Sequence, residues 1–115
     1  MASQFFGGLL ENMILIDLCK NAVFSDNEVE VYHYRDHQKR EVDIVLEEPG
    51  GAITGIEIKA AKSFSKSDFA GLISLANYAD NKFKQGFLLY SGDKILPMKI
   101  DNYVFTAVPF SALYS

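Results

Sequence analysis

Asp43, Glu57 and Lys59 sit on the two arms of one stretch, REVDIVLEEPGGAITGIEIK, that runs from Arg40 to Lys59. Two acids and a lysine at the ends of adjacent strands could hold a hard divalent cation through carboxylate oxygens. The lysine would steer or polarise a water beside a phosphate. Such chemistry requires a hairpin. In the first arm Glu41, Asp43 and Glu47 alternate with Val42, Ile44 and Leu46, so a period-two strand puts the acids on one face and the aliphatics on the other. Pro49, Gly50 and Gly51 supply the reversal. In the return arm Ile56 and Ile58 share one face while Glu57 and Lys59 share the other.

The flanking elements follow from periodicity and punctuation. Gly7 to Lys20, GGLLENMILIDLCK, is rich in strong helix formers and too long for a typical strand, so a buried helix is expected. Glu11 falls on its apolar side, where proximity to the helix start or the rim of the core accounts for it. EVEVYHYR reads as a strand leading through the polar turn Asp36 to Lys39 into the hairpin. Ser65 and Asp68 have capping-box spacing, and a second helix should begin there, with Phe69, Leu72, Ile73, Ala76 and Ala79 as its apolar stripe. Gly86 to Tyr90 reads as a strand buried on both faces, and it follows a helix, as in a crossover. Pro97 marks KILPMKI as an edge strand, YVFTAV is the last strand, and Pro109 opens a terminal helical turn.

The 115 residues, 49% of them hydrophobic, suffice for one core and one domain, 1–115. A net charge of -4 and an isoelectric point near 5.0 argue against holding nucleic acid by bulk electrostatics. Local cations remain available: Arg35, Lys39 and Arg40 near the first turn, and Lys62 and Lys66 after the hairpin. A single cysteine, Cys19, cannot form an internal disulfide, and the expected compartment is the cytoplasm, with no membrane partner. His33 and His37 lack a partner at zinc-ligand spacing.

With Glu11 on the first helix, Asp43 on the second strand and Glu57-Ile58-Lys59 on the third, the chain resembles the PD-(D/E)xK nuclease-like superfamily. More closely, GGLLEN, YHYRD, REVDIVLE, GIEIKAAKSFSKSDFAGL and GFLLYSGD resemble the uncharacterised C-terminal domain of a family of bacterial and archaeal AAA+ ATPases. The resemblance covers nearly the whole chain. It implies an α/β, restriction-endonuclease-like fold, a central mixed β-sheet with an α-β-β-β-α-β core flanked by helices. It also implies magnesium, or manganese, held by Asp43 and Glu57 with Glu11 completing the site, and Lys59 as the catalytic lysine. Val42 stands where the motif has proline, and no GxxxxGK[ST] phosphate loop is present, so the ATPase portion of those relatives is missing.

Two functions compete, beside a third reading, an ordinary acidic mixed α/β fold with no site, that holds if the acids diverge. One is a metal-dependent nuclease acting on DNA or RNA. The other is a non-catalytic module that binds nucleic acid, an AAA+ ATPase domain in a parent protein, or another protein partner. Because fold does not imply activity, the acidic cluster has to decide between them.

Overall fold

The computed structural model describes residues 28–114. Six strands form one sheet: β1 (Glu30–Arg35), β2 (Glu41–Glu47), β3 (Ile53–Ile58), β4 (Phe83–Tyr90), β5 (Leu96–Ile100) and β6 (Tyr103–Pro109). Their spatial order is β1-β2-β3-β4-β6-β5. β1, β2 and β3 are antiparallel neighbours, β4 joins parallel to β3, β6 joins parallel to β4, and β5 closes the far edge antiparallel to β6. This is a mixed α/β sheet with one α-helix, α1 (Ala70–Ala79), among the described residues. The expected first helix, with Glu11 and Cys19, lies outside them.

The hairpin turns where its residues demand. Gly51 adopts φ 96, open to glycine at no steric cost, and its N–H donates to Glu48 O at 2.8 Å. Pro97 lies on the edge strand β5, where its missing N–H breaks no interior ladder.

Antiparallel strands can be joined by a tight turn, but the parallel step from β3 to β4 needs a crossover, and α1 provides it. A 3-10 turn over Lys66–Phe69 leads into α1, and the Ser65 N–H donates to Asp68 Oδ2 at 2.7 Å, the reciprocal bond expected of a cap. Phe69, Leu72 and Leu75 are buried against Val42, Val45, Leu88 and Phe105, and Ala76 is buried as well. Leu75 belongs to this stripe although the expected one omitted it. Truncating Phe69, wholly buried, to alanine should cost about 3–5 kcal/mol. A Cβ on Gly71 would stand 1.9 Å from Glu41 O, so only glycine lets α1 approach β2 this closely. The other face buries Ile44, Leu46, Ile56, Ile58 and Leu89 with Val29.

β2 therefore has apolar residues on both faces, and the expected division into an acidic and an aliphatic face does not hold. Val42 and Val45 pack on the helix side, Ile44 and Leu46 on the opposite side. The cause is a β-bulge. Tyr32 stands opposite Val45 and Tyr34 opposite Val42, so His33 faces both Asp43 and Ile44. The extra residue shifts the phase of β2 and bends the strand at Asp43.

Candidate acidic site

The strand directions place Asp43, at the start of β2, and Glu57, at the end of β3, at the same end of the sheet. There the parallel strands β3, β4 and β6 terminate and the helical segment begins. In open α/β sheets this carboxyl end is where ligands bind. The β2–β3 pairing runs as far as Ile44 and Ile56. Beyond it, side chains take over from the backbone ladder. The Ile58 N–H donates to Asp43 Oδ2 at 2.9 Å, and the Asp43 N–H donates to Glu57 Oε1 at 3.2 Å. Each carboxylate thus braces the other's strand, and the bulge aims Asp43 at Glu57.

The pair is electrostatically frustrated. Desolvation by burial, then the hydrogen bond and the negative charge of Asp43, push the Glu57 carboxyl up to about 9. At neutral pH Glu57 therefore keeps its proton. Two part-buried carboxylates in this condition form a donor set of hard oxygens, which suits a hard divalent cation able to take the proton's place.

Lys59 leaves the end of β3 with its ammonium directed elsewhere. Its Nζ donates to Asp68 Oδ1 at 2.9 Å, and no bond joins it to either Asp43 or Glu57. Asp68 is the residue that the hairpin reading missed; its capping position signalled a helix start and nothing about the lysine. Desolvation raises the Asp68 carboxyl, but Lys59 and the Ser65 N–H together outweigh it and hold the group below the usual carboxylate range. The backbone here is pinned as well, with Lys59 N–H donating to Leu89 O and Ser91 N–H to Ala61 O, each at 2.8 Å.

Glu11, the third acid of the expected metal set, lies outside the described residues. Among the described residues no group of three or more His, Cys, Asp or Glu side chains could hold a metal ion, so Asp43 and Glu57 stand as a pair. His33 is engaged by Glu41, with Nε2 and Oε1 3.0 Å apart. Arg40 Nε donates to Asp36 Oδ2.

Charge is unevenly spread over the sheet ends. At the acid pair's end of the sheet, Arg35, Lys39, Lys62, Lys66 and Lys94 are exposed and have no ion-pair partner among the described residues; of the acids there, Asp36, Glu41 and Asp68 are paired and Asp93 is exposed. The opposite end holds Glu30, Glu47, Glu48, Asp80 and Asp101 against Lys82, Lys84 and Lys99. A net charge of -4 therefore coexists with a cationic rim about the site.

Residues 6–113 match the model of a domain of unknown function, DUF4143. The chain belongs to that family. No curated protein and no solved structure matches this DUF4143 domain. Among its described residues, no helix is long and apolar enough to cross a membrane.

Proposed function

We propose that this DUF4143 domain is a PD-(D/E)xK nuclease-like domain with the restriction-endonuclease-like fold, hydrolysing phosphodiester bonds in DNA or RNA with Mg²⁺ or Mn²⁺. The observation that carries the reading is the part-buried Asp43–Glu57 pair at the carboxyl end of the sheet, each carboxylate bonded to a backbone N–H of the other's strand. Three antiparallel strands, a helix and a parallel fourth strand agree with the superfamily's order from its first strand onward. Asp43 and Glu57 would hold the cation, with Glu11 as the third ligand that the resemblance implies. The bound cation would offset charge developing on phosphorus and lower the pKa of its water.

The chain's own residues do the rest. Lys59 would present a positive charge just beyond the end of β3, two positions after Glu57. Arg35, Lys39, Lys62 and Lys66 offer contacts to flanking phosphates, which position a strand without reading its sequence. Cytoplasmic action, as the C-terminal domain of an AAA+ ATPase, completes the proposal. The test is incubation of wild type and Asp43→Ala with linear, circular and single-stranded nucleic acids in Mg²⁺ or Mn²⁺. Cleavage by wild type that disappears in the variant is expected; equal behaviour of the two proteins would remove the nuclease reading.

A non-catalytic binding module is the second reading, and the surface beside β1 favours it. A groove of about 710 Å³ there is lined by Tyr32, Tyr34, Tyr78 and Lys82 among others. Tyr78 is 79% exposed, and its ring lies 5.8 Å from that of Tyr34. Nucleic acid bound without cleavage, with no change on Asp43→Ala, would select this module.

A further inference from the structure

We propose that Asp68 is a positioning residue for the acidic site: it holds the Lys59 ammonium at the helix start, so that the Asp43–Glu57 pair stays open to a divalent cation. The inference rests on the metal-site reading above and adds a requirement that reading does not contain. Glu57 lies on β3 and Lys59 follows the strand's last residue, Ile58, two positions after Glu57, the spacing at which an extended chain puts side chains on one face. A lysine on that face has an obvious counterion in the two carboxylates, because opposite charges at short range attract. Left to itself the ammonium would close on the pair and occupy the place of the cation.

Asp68 prevents this by geometry. Its Oδ1 accepts from Lys59 Nζ at 2.9 Å while its Oδ2 accepts from the Ser65 N–H at 2.7 Å, so both oxygens are committed and the carboxylate cannot swing away. The turn that carries it is anchored by the adjacent Phe69, which is wholly buried. The lysine's charge thus remains near the site without neutralising it. The cation concerned is a hard divalent ion with oxygen ligands.

Asp68→Asn separates this role from capping, since the amide oxygen still accepts from Ser65 while the negative charge on the lysine is gone. Mn²⁺ is titrated calorimetrically into the full chain as wild type, Asp68→Asn, Lys59→Met and the double variant, each first stripped of metal. Loss of the Asp68 charge should weaken Mn²⁺ binding by about tenfold or more, the scale on which groups that orient metal ligands act. The double variant should recover affinity, because no ammonium is left to compete, and a structure of Asp68→Asn should show Lys59 Nζ within ion-pair distance of Glu57 or Asp43. Unchanged Mn²⁺ affinity in Asp68→Asn would overturn the proposal, as would a double variant as weak as the single one, which would mark Asp68 as a cap alone. If wild type binds no Mn²⁺, the metal-site reading fails on its own account. Lys59 in the Asp68→Asn structure then decides: on the acid pair it supports the positioning role, and elsewhere it overturns it.

Discussion

Asp36 and Glu57 are carboxylates at the same end of the sheet, and their surroundings drive them in opposite directions. Asp36 Oδ1 accepts the Gln38 and Arg40 N–H groups at 2.8 and 2.9 Å, and Oδ2 accepts Arg40 Nε at 2.6 Å and the Ser74 hydroxyl at 2.7 Å. The Ser74 bond, with help from Arg40 and Gln38, holds this carboxyl well below the usual range despite desolvation. Tyr34 Oη lies 2.7 Å from Ser74 Oγ, so the cluster ties β1, the turn and α1 together. Glu57 meets a second carboxylate instead, and burial together with that neighbour pushes it up to about 9. A carboxylate surrounded by donors and a cation is finished as structure, whereas a part-buried acid held against a second acid is one that a positive charge would relieve.

The sharpest test of this contrast pairs Asp43→Asn with Asp36→Asn. Asp43→Asn should lower any Mg²⁺-dependent cleavage by about 100-fold or more, on the scale expected when metal binding is damaged. Its melting temperature in EDTA should stay the same or rise slightly, because the charge that opposes ionisation of Glu57 has been removed. Asp36→Asn should do the reverse, lowering the melting temperature by several degrees and leaving metal dependence intact. A clear loss of stability in Asp43→Asn with EDTA, in a wild type indifferent to metal, would make the pair structural as well.

Metal linkage comes next in size. A divalent ion at 100 times its Kd should stabilise wild type by about 2.7 kcal/mol and Asp43→Asn not at all. Thermal melts with EDTA and with excess Mn²⁺ check this.

The two carboxylates should also bend the pH profile in opposite ways. Glu57 has a folded-state value above its unfolded one of 4.5, so the folded state binds the extra proton. Stability should therefore fall as pH rises from about 4.5 to about 9, with a slope of at most about 1.4 kcal/mol per pH unit. Asp36 lies below its unfolded value of 3.8, so its contribution is present above that pH and lost as pH falls below it. Glu57→Gln, which imitates the protonated acid, should flatten the first limb in metal-free denaturation curves, and Asp36→Asn should flatten the second. An unchanged alkaline limb in Glu57→Gln would mean that the proton sits elsewhere.

The smallest effect concerns the cationic rim. Replacing Lys62 and Lys66 by glutamine should leave melting unchanged, because both are exposed and unpaired among the described residues. For each of the two that binds a phosphate, the log–log salt dependence of nucleic-acid binding should become shallower by a slope of about 0.7–0.9. Binding curves at several salt concentrations would read this, and an identical slope would place the nucleic acid elsewhere.

Much of the architecture was legible in the chain. Alternation in EVDIVLE and ITGIEI, the Pro49-Gly50-Gly51 turn, the cap at Ser65 and the Pro97 edge each express a local rule about backbone dihedrals or donors, and local rules act wherever the residues stand. The bulge was not legible, because it depends on the register between β1 and β2, and a strand's own sequence does not say which residues its neighbour will oppose. For the same reason Val42 and Ile44 went to different faces, although strict alternation would put both on one.

The sequence by itself determined which residue types were available at this site: two acids and a lysine on neighbouring strands, and clusters of cations on either side of them. Only the tertiary structure decided who meets whom. Asp68 takes Lys59 because the crossover returns the helix start over the end of β3. Ser74 closes on Asp36 from 38 positions away along the chain. Asp43 reaches the Ile58 N–H because the strands part beyond Ile44 and Ile56, and a free backbone donor at that point must be satisfied by whatever oxygen is near. Proton retention, ion pairing and desolvation depend on distances of a few ångströms between groups far apart in sequence, and those distances exist only after packing.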